Sequence, residues 1–165
     1  MIGFPVRING VRGLKVLLQR VSRAAVRVEG RTVGEIGRGL LVLLGVERDD
    51  SERELEYFSD KTADLRIFPD DEGKMNLSVE DVSGGVLVVS QFTLAAATRK
   101  GRRPSYSRAA DPAQAEAMYE DFLTRLRERG LKVASGVFQA MMEVESINDG
   151  PVTILLDPPV SRAAP

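Results

Sequence analysis

The stretch Ser146-Ile147-Asn148-Asp149-Gly150-Pro151-Val152-Thr153 separates two strand-like runs, residues 142–147 and 152–156. Asn, Asp and Gly favour a turn, and proline has a fixed φ and no backbone N–H. The stretch therefore predicts a bend with exposed carbonyl oxygens and almost no side chain. It is either a hairpin connector or a backbone wall that senses a ligand's shape without binding its side chain. A cis Gly150-Pro151 bond would suit the wall, although cis accounts for only about 5–6% of X–Pro bonds in folded proteins.

Length, composition and charge describe an ordinary single domain. The chain has 165 residues, of which 43% are hydrophobic and 28% are charged, enough for a substantial core. Its net charge of −1 provides no overall attraction to nucleic acid or membranes, so any polyanion must bind to a local patch. No apolar run approaches the roughly 20 residues of a membrane helix, and no signal peptide is recognisable. We therefore expect a cytoplasmic protein with no membrane partner.

The chain lacks two amino acids that often carry out catalysis, and their absence restricts its chemistry. The sequence contains no Cys and no His, which excludes a thiol nucleophile and a Ser-His-Asp triad within this chain. Zinc sites built from His or Cys are excluded too, and no tight carboxylate cluster suggests another metal. We predict no metal and no cofactor. A general base would have to be a carboxylate, a lysine or a group of the substrate.

Hairpin-like spacing dominates the N-terminal half. Residues 14–21 and 24–28 predict two strands, 32–36 a short third strand, and the unbroken apolar run 39–46 a strand buried on both faces. Ser51 and Glu54 form a capping-box pattern that predicts a helix to about residue 65. Its predicted buried stripe is Leu55, Phe58, Thr62 and Leu65.

The C-terminal half predicts a buried strand at 86–94, a helix and a further strand at 131–138. Asp111 is the expected N-cap of the helix, Pro112 its first residue and Gly130 its end. Its predicted buried stripe is Ala115, Met118, Phe122 and Leu126.

These elements predict an α+β fold, with a mostly antiparallel, barrel-like or two-layer β-sheet and two flanking helices. Residues 14–157 would form one domain. We expect residues 1–13 to be a loose extension and residues 158–165 a loose tail.

Polar residues follow the predicted strand at 86–94. Ser90, Gln91, Phe92 and Thr93 either cap a loop at the strand end or form an ester or amide site. In the second case backbone N–H groups after Gln91 would stabilise an oxyanion, which requires preorganised donors rather than a special side chain. Ser90 or Thr93 as a nucleophile is disfavoured because no histidine is present to activate it.

The loop at residues 98–108 concentrates positive charge around one aromatic side chain, Tyr106. It is either a solvated charged loop or a nucleic-acid contact, since cations and an aromatic ring suit a phosphate backbone and a stacked base. Its cations are Arg99, Lys100, Arg102, Arg103 and Arg108.

Six motifs together resemble the D-aminoacyl-tRNA deacylase family over residues 14–156. They are LLQRVSRA (17–24), VGEIGRGLLVLLGV (33–46), RIFPDDEGKMN (66–76), SQFTL (90–94), GRRPSYS (101–107) and NDGPVT (148–153). One departure is Ala97, which stands where many members have an acidic residue, and which could alter the hold on the basic loop.

The resemblance implies a homodimeric editing enzyme with shared active sites. It would hydrolyse the ester joining a D-amino acid, or glycine, to the 3′-terminal adenosine of tRNA, assisted by the substrate's own 2′-hydroxyl. A cis Gly150-Pro151 would reach into the partner's pocket and reject L-residues. The implied substrate-binding residues are Gly150, Pro151, Arg20, Met142, Phe138 and Asn148; Ser90, Gln91, Phe92 and Thr93 form the implied catalytic segment; Arg99, Lys100, Arg102 and Arg103 would bind tRNA.

Within this resemblance, Arg20 would hold the Gly-Pro stretch, and the N–H groups of Phe92 and Thr93 would hold the ester carbonyl. Thr93 would position the substrate, with a nucleophilic threonine as the rival hypothesis. Two other functions stay open: a sister deacylase with a trans Gly-Pro acting on a small L-aminoacyl-tRNA, and a tRNA- or DNA-binding module without turnover.

Overall fold

The computed structural model of the chain describes residues 13–159. Eight strands, two α-helices and one 3₁₀ helix follow one another within this range. They are β1 Lys15–Val28, β2 Arg31–Ile36, β3 Gly39–Gly45, α1 Glu52–Asp64, β4 Phe68–Pro69, β5 Met75–Leu77, β6 Gly85–Ser90, the 3₁₀ helix Phe92–Ala95, α2 Pro112–Glu128, β7 Lys132–Ser135 and β8 Glu143–Leu155.

The expected loose extension 1–13 and tail 158–165 lie outside the described residues, apart from Gly13, Pro158 and Pro159. No helix between residues 13 and 159 is long and apolar enough to cross a membrane.

A six-stranded mixed sheet forms the body of the molecule. Its order is β2-β1-β3-β6-β7, and β8 pairs with the other edge of β1. β1 is antiparallel to β2, β3 and β8, whereas β3–β6 and β6–β7 are parallel pairs. Gly34 of β2 lies against the backbone of Ser135 in β7, so the sheet nearly closes on itself. The predicted α+β class, with a barrel-like sheet and two helices, is confirmed.

The central strands are buried on both faces, as their unbroken apolar sequences predict. In β3, Leu40 and Val42 belong to the main core beneath the helices, while Leu41 faces a second cluster with Val26 and Leu87. Alternate residues of one strand thus fill two separate cores. This double burial fixes the register of β3 against β6, and with it the position at which β6 ends.

Both predicted helix starts are confirmed. Ser51 and Glu54 form the capping box of α1, and the carboxylate of Asp111 accepts a hydrogen bond from the N–H of Gln114 at 3.0 Å. The buried face of α2 differs from the prediction, because Tyr119 and Leu123 are fully buried. The predicted residues Ala115 and Met118 are half-buried and pack only against the margin of the core.

Four predicted strand boundaries are wrong. The two strands expected at 14–21 and 24–28 form the single strand β1, and those expected at 142–147 and 152–156 form the single strand β8. The strand expected at 86–94 ends at Ser90, and a 3₁₀ helix begins two residues later, at Phe92. The strand expected at 131–138 ends at Ser135. In β1 and β8 the pairing of the two strands along their length outweighs the local preference for a turn.

The Gly-Pro stretch is a bulge within β8, so its interpretation as a hairpin connector is wrong. Gln19 pairs with Thr153 and Val21 pairs with Asn148. Residues 149–152 of β8 therefore lie opposite Arg20 alone. Proline cannot donate to a sheet ladder, and edge strands such as β8 and bulges are among the few places in a sheet that tolerate it. Extra residues in one strand bend it and turn its backbone away from the sheet.

Gly39 provides a test of how closely the parallel strands β3 and β6 approach each other. A Cβ at Gly39 would lie 1.8 Å from the carbonyl oxygen of Gly85, a collision that requires the backbone to move. We expect Gly39→Ala to lower the free energy of unfolding by about 3 kcal/mol, the upper part of the usual overpacking range. Urea denaturation monitored by circular dichroism measures this change.

Gly37→Ala is the matched control, since a Cβ at Gly37 meets nothing within 4 Å. Its effect should be within about 1 kcal/mol of wild type, and is expected to be stabilising. Equal effects of the two substitutions would contradict the packing of β3 on β6 described above.

Candidate active site

An open cleft of about 830 Å³ lies beside the end of β6. Three parts of the chain form its walls: the segment that follows β6, the start of α2 with the residues before it, and the connection from β7 into β8. The lining residues are Val46, Val89, Ser90, Gln91, Phe92, Ala109, Ala110, Pro112, Ala115, Phe138, Gln139, Ala140, Met141, Met142 and Val144.

The segment Ser90-Gln91-Phe92-Thr93 turns away from the sheet at the cleft. The N–H of Gln91 donates to the carbonyl of Leu44 at 2.7 Å, and the 3₁₀ helix starts at Phe92. Ser90, Gln91 and Phe92 line the cleft. Thr93 is exposed and lies outside this lining, and its hydroxyl accepts a hydrogen bond from the side-chain amide of Gln91.

Neutral groups make up the whole lining of the cleft among the described residues. Its polar side chains are one serine and two glutamines, and no ionisable side chain belongs to it. Phe138 and Met142, expected in the pocket, are both part of its wall. A chemical step in this cleft therefore has backbone dipoles, neutral side chains and the substrate's own groups to work with.

Tyr119 supports this wall from behind. Its ring lies 6.1 Å from that of Phe138, and its hydroxyl donates to the carbonyl of Val88 at 3.0 Å. Burial raises the pKa of Tyr119 to about 12, so the hydroxyl stays protonated and keeps this bond. Phe138 is thereby held by a tyrosine that is itself hydrogen-bonded to β6.

Arg20 secures the bulge that contains Gly150 and Pro151. Its side chain is nearly buried, with 8% of the residue exposed. Nε donates to the carbonyl of Asp149 at 2.9 Å, and Nη1 donates to the carbonyl of Ile67 at 2.6 Å. The contact expected between Arg20 and the Gly-Pro stretch is thus present, at the residue just before Gly150.

Gly150 and Pro151 are exposed on the surface of their own chain, and neither lines the cleft described above. The peptide bond between them is cis. Gly150 has a φ of +145°, where side chains of L-residues are rarely accommodated, and a Cβ there would lie 2.8 Å from Val152 Cγ2. The backbone of these two residues is therefore exposed to solvent and forms no part of its own cleft.

The side chain of Asn148 braces the bulge. Its amide oxygen accepts a hydrogen bond from the N–H of Val152 at 2.7 Å. Its amide nitrogen donates to the carbonyl of Val152 at 3.2 Å and to the hydroxyl of Thr153 at 3.1 Å. The structure therefore places this expected substrate-binding residue in contact with its own strand, where it fixes the path of residues 149–152.

The basic loop is anchored at both ends. Ala97 and Ser105 exchange two backbone hydrogen bonds, of 2.8 and 3.0 Å, which do not depend on the side chain at position 97. At the other end, Arg108 forms an ion pair with the buried carboxylate of Glu47 at 2.5 Å. The expected tRNA-binding side chains Arg99, Lys100, Arg102 and Arg103 lie between these anchors and are exposed.

A small charged cluster surrounds Glu47. Lys15 lies 3.5 Å from its carboxylate, and the N–H of Glu47 donates to Asp50 at 2.7 Å. Burial raises the pKa of Asp50 to about 6 and lowers the pKa of Lys15. The cluster sits at the foot of the basic loop and outside the cleft, so it acts on the loop's anchor and not on a bound ester.

Sequence reasoning missed about two thirds of the residues that line the cleft. Ala109, Ala110 and Ala115 carry no chemistry, and Pro112 was interpreted only as the first residue of a helix. Met141, with 91% of its surface exposed at the cleft, belongs to a connection that the sequence assigns to no element. A large exposed apolar side chain is a signal for a binding surface. The exposure of Met141 is known only from the structure, so the sequence could not provide this signal.

The fold and cleft define a class of protein: an α+β domain with a nearly closed, barrel-like mixed sheet and a neutral cleft at the end of β6. The family model described as D-Tyr-tRNA(Tyr) deacylase matches residues 17–157. The chain belongs to this family and is therefore a hydrolase.

Relatives of known name agree with this assignment. A D-aminoacyl-tRNA deacylase from Koribacter versatilis is 60% identical over 144 residues, which cover 87% of this chain and 97% of the relative. A solved structure titled c-Myc DNA Unwinding Element Binding Protein is 44% identical, with a TM-score of 0.82 and coverage of 87% and 97%. A probable eukaryotic D-amino acid tRNA deacylase shares the fold, at 20% identity, a TM-score of 0.76 and coverage of 88% and 99%.

Proposed function

We propose that the protein hydrolyses the ester bond of D-aminoacyl-tRNA, and of glycyl-tRNA, to release the free amino acid and tRNA. The observation that carries this proposal is a cleft with no ionisable side chain among the described residues, lined by the end of β6 and the start of a 3₁₀ helix. An ester is a substrate that such a site can handle, because its carbonyl needs donors and its ribose brings a hydroxyl. The reaction would take place in the cytoplasm, where charged tRNA is used.

Stabilisation of the carbonyl oxygen is assigned to the backbone N–H groups of Phe92 and Thr93. As water attacks the carbonyl carbon, negative charge develops on that oxygen, and each preorganised donor contributes a factor of about 10²–10³ in rate. The water's proton passes by way of the ribose 2′-hydroxyl to the departing 3′-oxygen. The carbon–oxygen ester bond breaks, leaving the amino acid and a free 3′-hydroxyl. Ser90 and Gln91 line the same wall and orient the substrate.

Chiral selection is assigned to the backbone at Gly150 and Pro151. Carbonyl oxygens carried on a braced bulge contact the amino group and α-carbon and leave no space for an L side chain. Arg20 and Asn148 hold that backbone in place. Because the side chain of the substrate is not contacted by this wall, the enzyme should accept a broad range of D-amino acids.

A second copy of the chain is the proposed source of this wall. Gly150 and Pro151 are exposed and do not line their own cleft, and among the described residues β8 pairs with β1 alone. Apolar residues on β8 are exposed: Val144 by 40%, Ile147 by 50% and Leu155 by 51%. An exposed apolar edge strand of this length is expected to be covered by a partner. In a homodimer each cleft, with Phe138 and Met142 in its wall, would receive the Gly-Pro of the other subunit.

The basic loop is the proposed contact to the tRNA backbone. Arg99, Lys100, Arg102 and Arg103 are exposed on a loop whose ends are fixed. Phosphate contacts of this kind position a nucleic acid and weaken with salt. A binding module without turnover is a second candidate, since the loop and the name of the DNA-binding relative both favour nucleic-acid binding.

The central experiment compares hydrolysis of D-Tyr-tRNA and L-Tyr-tRNA by the purified protein without added metal. We expect rapid loss of the D ester while the L ester survives, because the wall admits only one configuration. Release of radiolabelled tyrosine measures both rates. Inertness toward both esters would favour the binding module, and hydrolysis of the L ester would mean that the Gly-Pro stretch is not oriented as proposed.

Thr93→Ala should retain activity within about threefold of wild type, because the backbone N–H, not the hydroxyl, is assigned to the oxyanion. Phe92→Pro deletes one such donor at the first position of the 3₁₀ helix, where proline is tolerated. Its kcat should fall by about 10²-fold or more. Phe92→Leu, which keeps the N–H, is the control for loss of the ring. Near-complete loss in folded Thr93→Ala would support a nucleophilic threonine instead.

Shared sites are tested by mixing Phe92→Pro subunits, whose clefts are inactive, with Gly150→Ala subunits, whose walls are displaced. If each site combines two subunits, half of the dimers are mixed and each carries one intact site, restoring about a quarter of wild-type activity. Sedimentation must first show that both variants are dimers. A mixture as inactive as its components would place each site within one chain.

A further inference from the structure

Two exposed aromatic side chains touch each other at the mouth of the cleft. Among the described residues, Phe92 and Tyr106 are the aromatic side chains that are exposed, by 56% and 39%. Their ring centroids lie 5.1 Å apart at an interplanar angle of 66°. Exposed rings are available for stacking with a further ring, whereas the other aromatic residues of this range are at least half covered by the core. The pair connects the catalytic segment to the basic loop.

The two rings occupy different distances from the chemistry. Phe92 lines the cleft, whereas Tyr106 contacts Phe92 but lies outside that lining. Tyr106 belongs to the same loop as Arg102 and Arg103, whose exposed charges face solvent. A nucleic-acid strand whose end occupies the cleft and whose phosphates lie near these cations can therefore contact both rings.

The backbone that carries Tyr106 is fixed on both sides. Ser105, the preceding residue, is paired with Ala97, and the carbonyl of Tyr106 accepts a hydrogen bond from the N–H of Ala109 at 3.0 Å. Arg108 is held by the buried Glu47. A ring on such a backbone loses little further freedom when a ligand stacks on it, which favours binding.

We propose that Tyr106 stacks on the base of the nucleotide that precedes the 3′-terminal adenosine of the substrate. The proposal rests on the function proposed above, which places the terminal adenosine in the cleft. Stacking on an aromatic ring tolerates any base, because every base has a π-face. Tyr106 thereby lets the enzyme distinguish a nucleic-acid end from a free aminoacyl-nucleoside, and it takes no part in the chemical step.

The test compares three substrates that differ only in the length of nucleic acid: D-Tyr-adenosine, D-Tyr on a CA dinucleotide, and D-Tyr-tRNA. For wild type, KM should fall about tenfold or more between the first two, the fold-change expected from one base stacked on an aromatic ring. Tyr106→Leu should abolish this fall, while kcat on all three substrates and KM on D-Tyr-adenosine stay within about twofold of wild type. Tyr106→Phe should behave as wild type, because it keeps the ring.

Tyr57→Leu is the matched control, since Tyr57 also makes an edge contact with a phenylalanine, Phe58 at 5.3 Å, but on α1 and away from the cleft. It should leave the fall in KM intact. As a second measurement, the indole fluorescence of Tyr106→Trp should be quenched by the unesterified CA dinucleotide and not by adenosine, a binding readout that needs no turnover.

Three outcomes would overturn the proposal. The first is a fall in KM from D-Tyr-adenosine to the CA substrate that persists in Tyr106→Leu. The second is a rise in the KM of Tyr106→Leu for D-Tyr-adenosine as large as its rise for the CA substrate, which would assign the ring to the terminal nucleotide. In both, the wild type is active and the proposed function stands. The third is a wild type inert toward every ester, which would overturn the proposed function together with this inference.

Discussion

The pairing of β1 with β8 is the constraint on which the site depends. The two strands run antiparallel along almost their whole length, yet four residues of β8, 149–152, face the single residue Arg20. The surplus backbone has no ladder partner and must leave the sheet. Regular pairing on either side keeps the two ends of this bulge close together. The bulge is therefore a fixed projection and not a mobile loop, which a wall that selects one configuration requires.

Arg20 and Asn148 satisfy the hydrogen bonds that the interrupted ladder leaves open. Arg20 connects the carbonyl of Asp149 to that of Ile67, so a side chain from β1 bridges the bulge and the segment before β4. Asn148 uses both ends of its amide on Val152, the first residue after Pro151. Buried or crowded backbone polar groups are costly when unpaired. The side chain of Asn148 thus stabilises the shape of the bulge. The part of the bulge that remains exposed to a ligand is the backbone of Gly150 and Pro151.

The sequence predicted the elements of this fold better than their extent. The capping residues Ser51 and Asp111 and the buried runs of β3 and β6 are local signals, and they were interpreted correctly. The continuity of β1 and β8 is a property of their mutual pairing, so local polar and turn-forming residues divided each of them in two. The candidate site was likewise predictable only where the signal is local. Ser90–Phe92 and the basic loop were visible as chemistry, whereas Ala109, Ala110 and Met141 contribute only surface, whose value arises from what the fold places opposite them.

The charged residues of the basic loop and its anchor lie outside the neutral cleft. The cleft is neutral throughout its described lining, while the buried Glu47 pairs with Arg108 at the foot of the basic loop. The ion pair and the Ala97–Ser105 backbone bridge fix the two ends of that loop, so its four outward cations act from a defined position. Because the bridge uses only backbone atoms, an alanine at position 97 leaves it intact. Attraction to a polyanion can then vary with salt or loop sequence, while the proposed donors at Phe92 and the proposed wall at Gly150 keep their geometry.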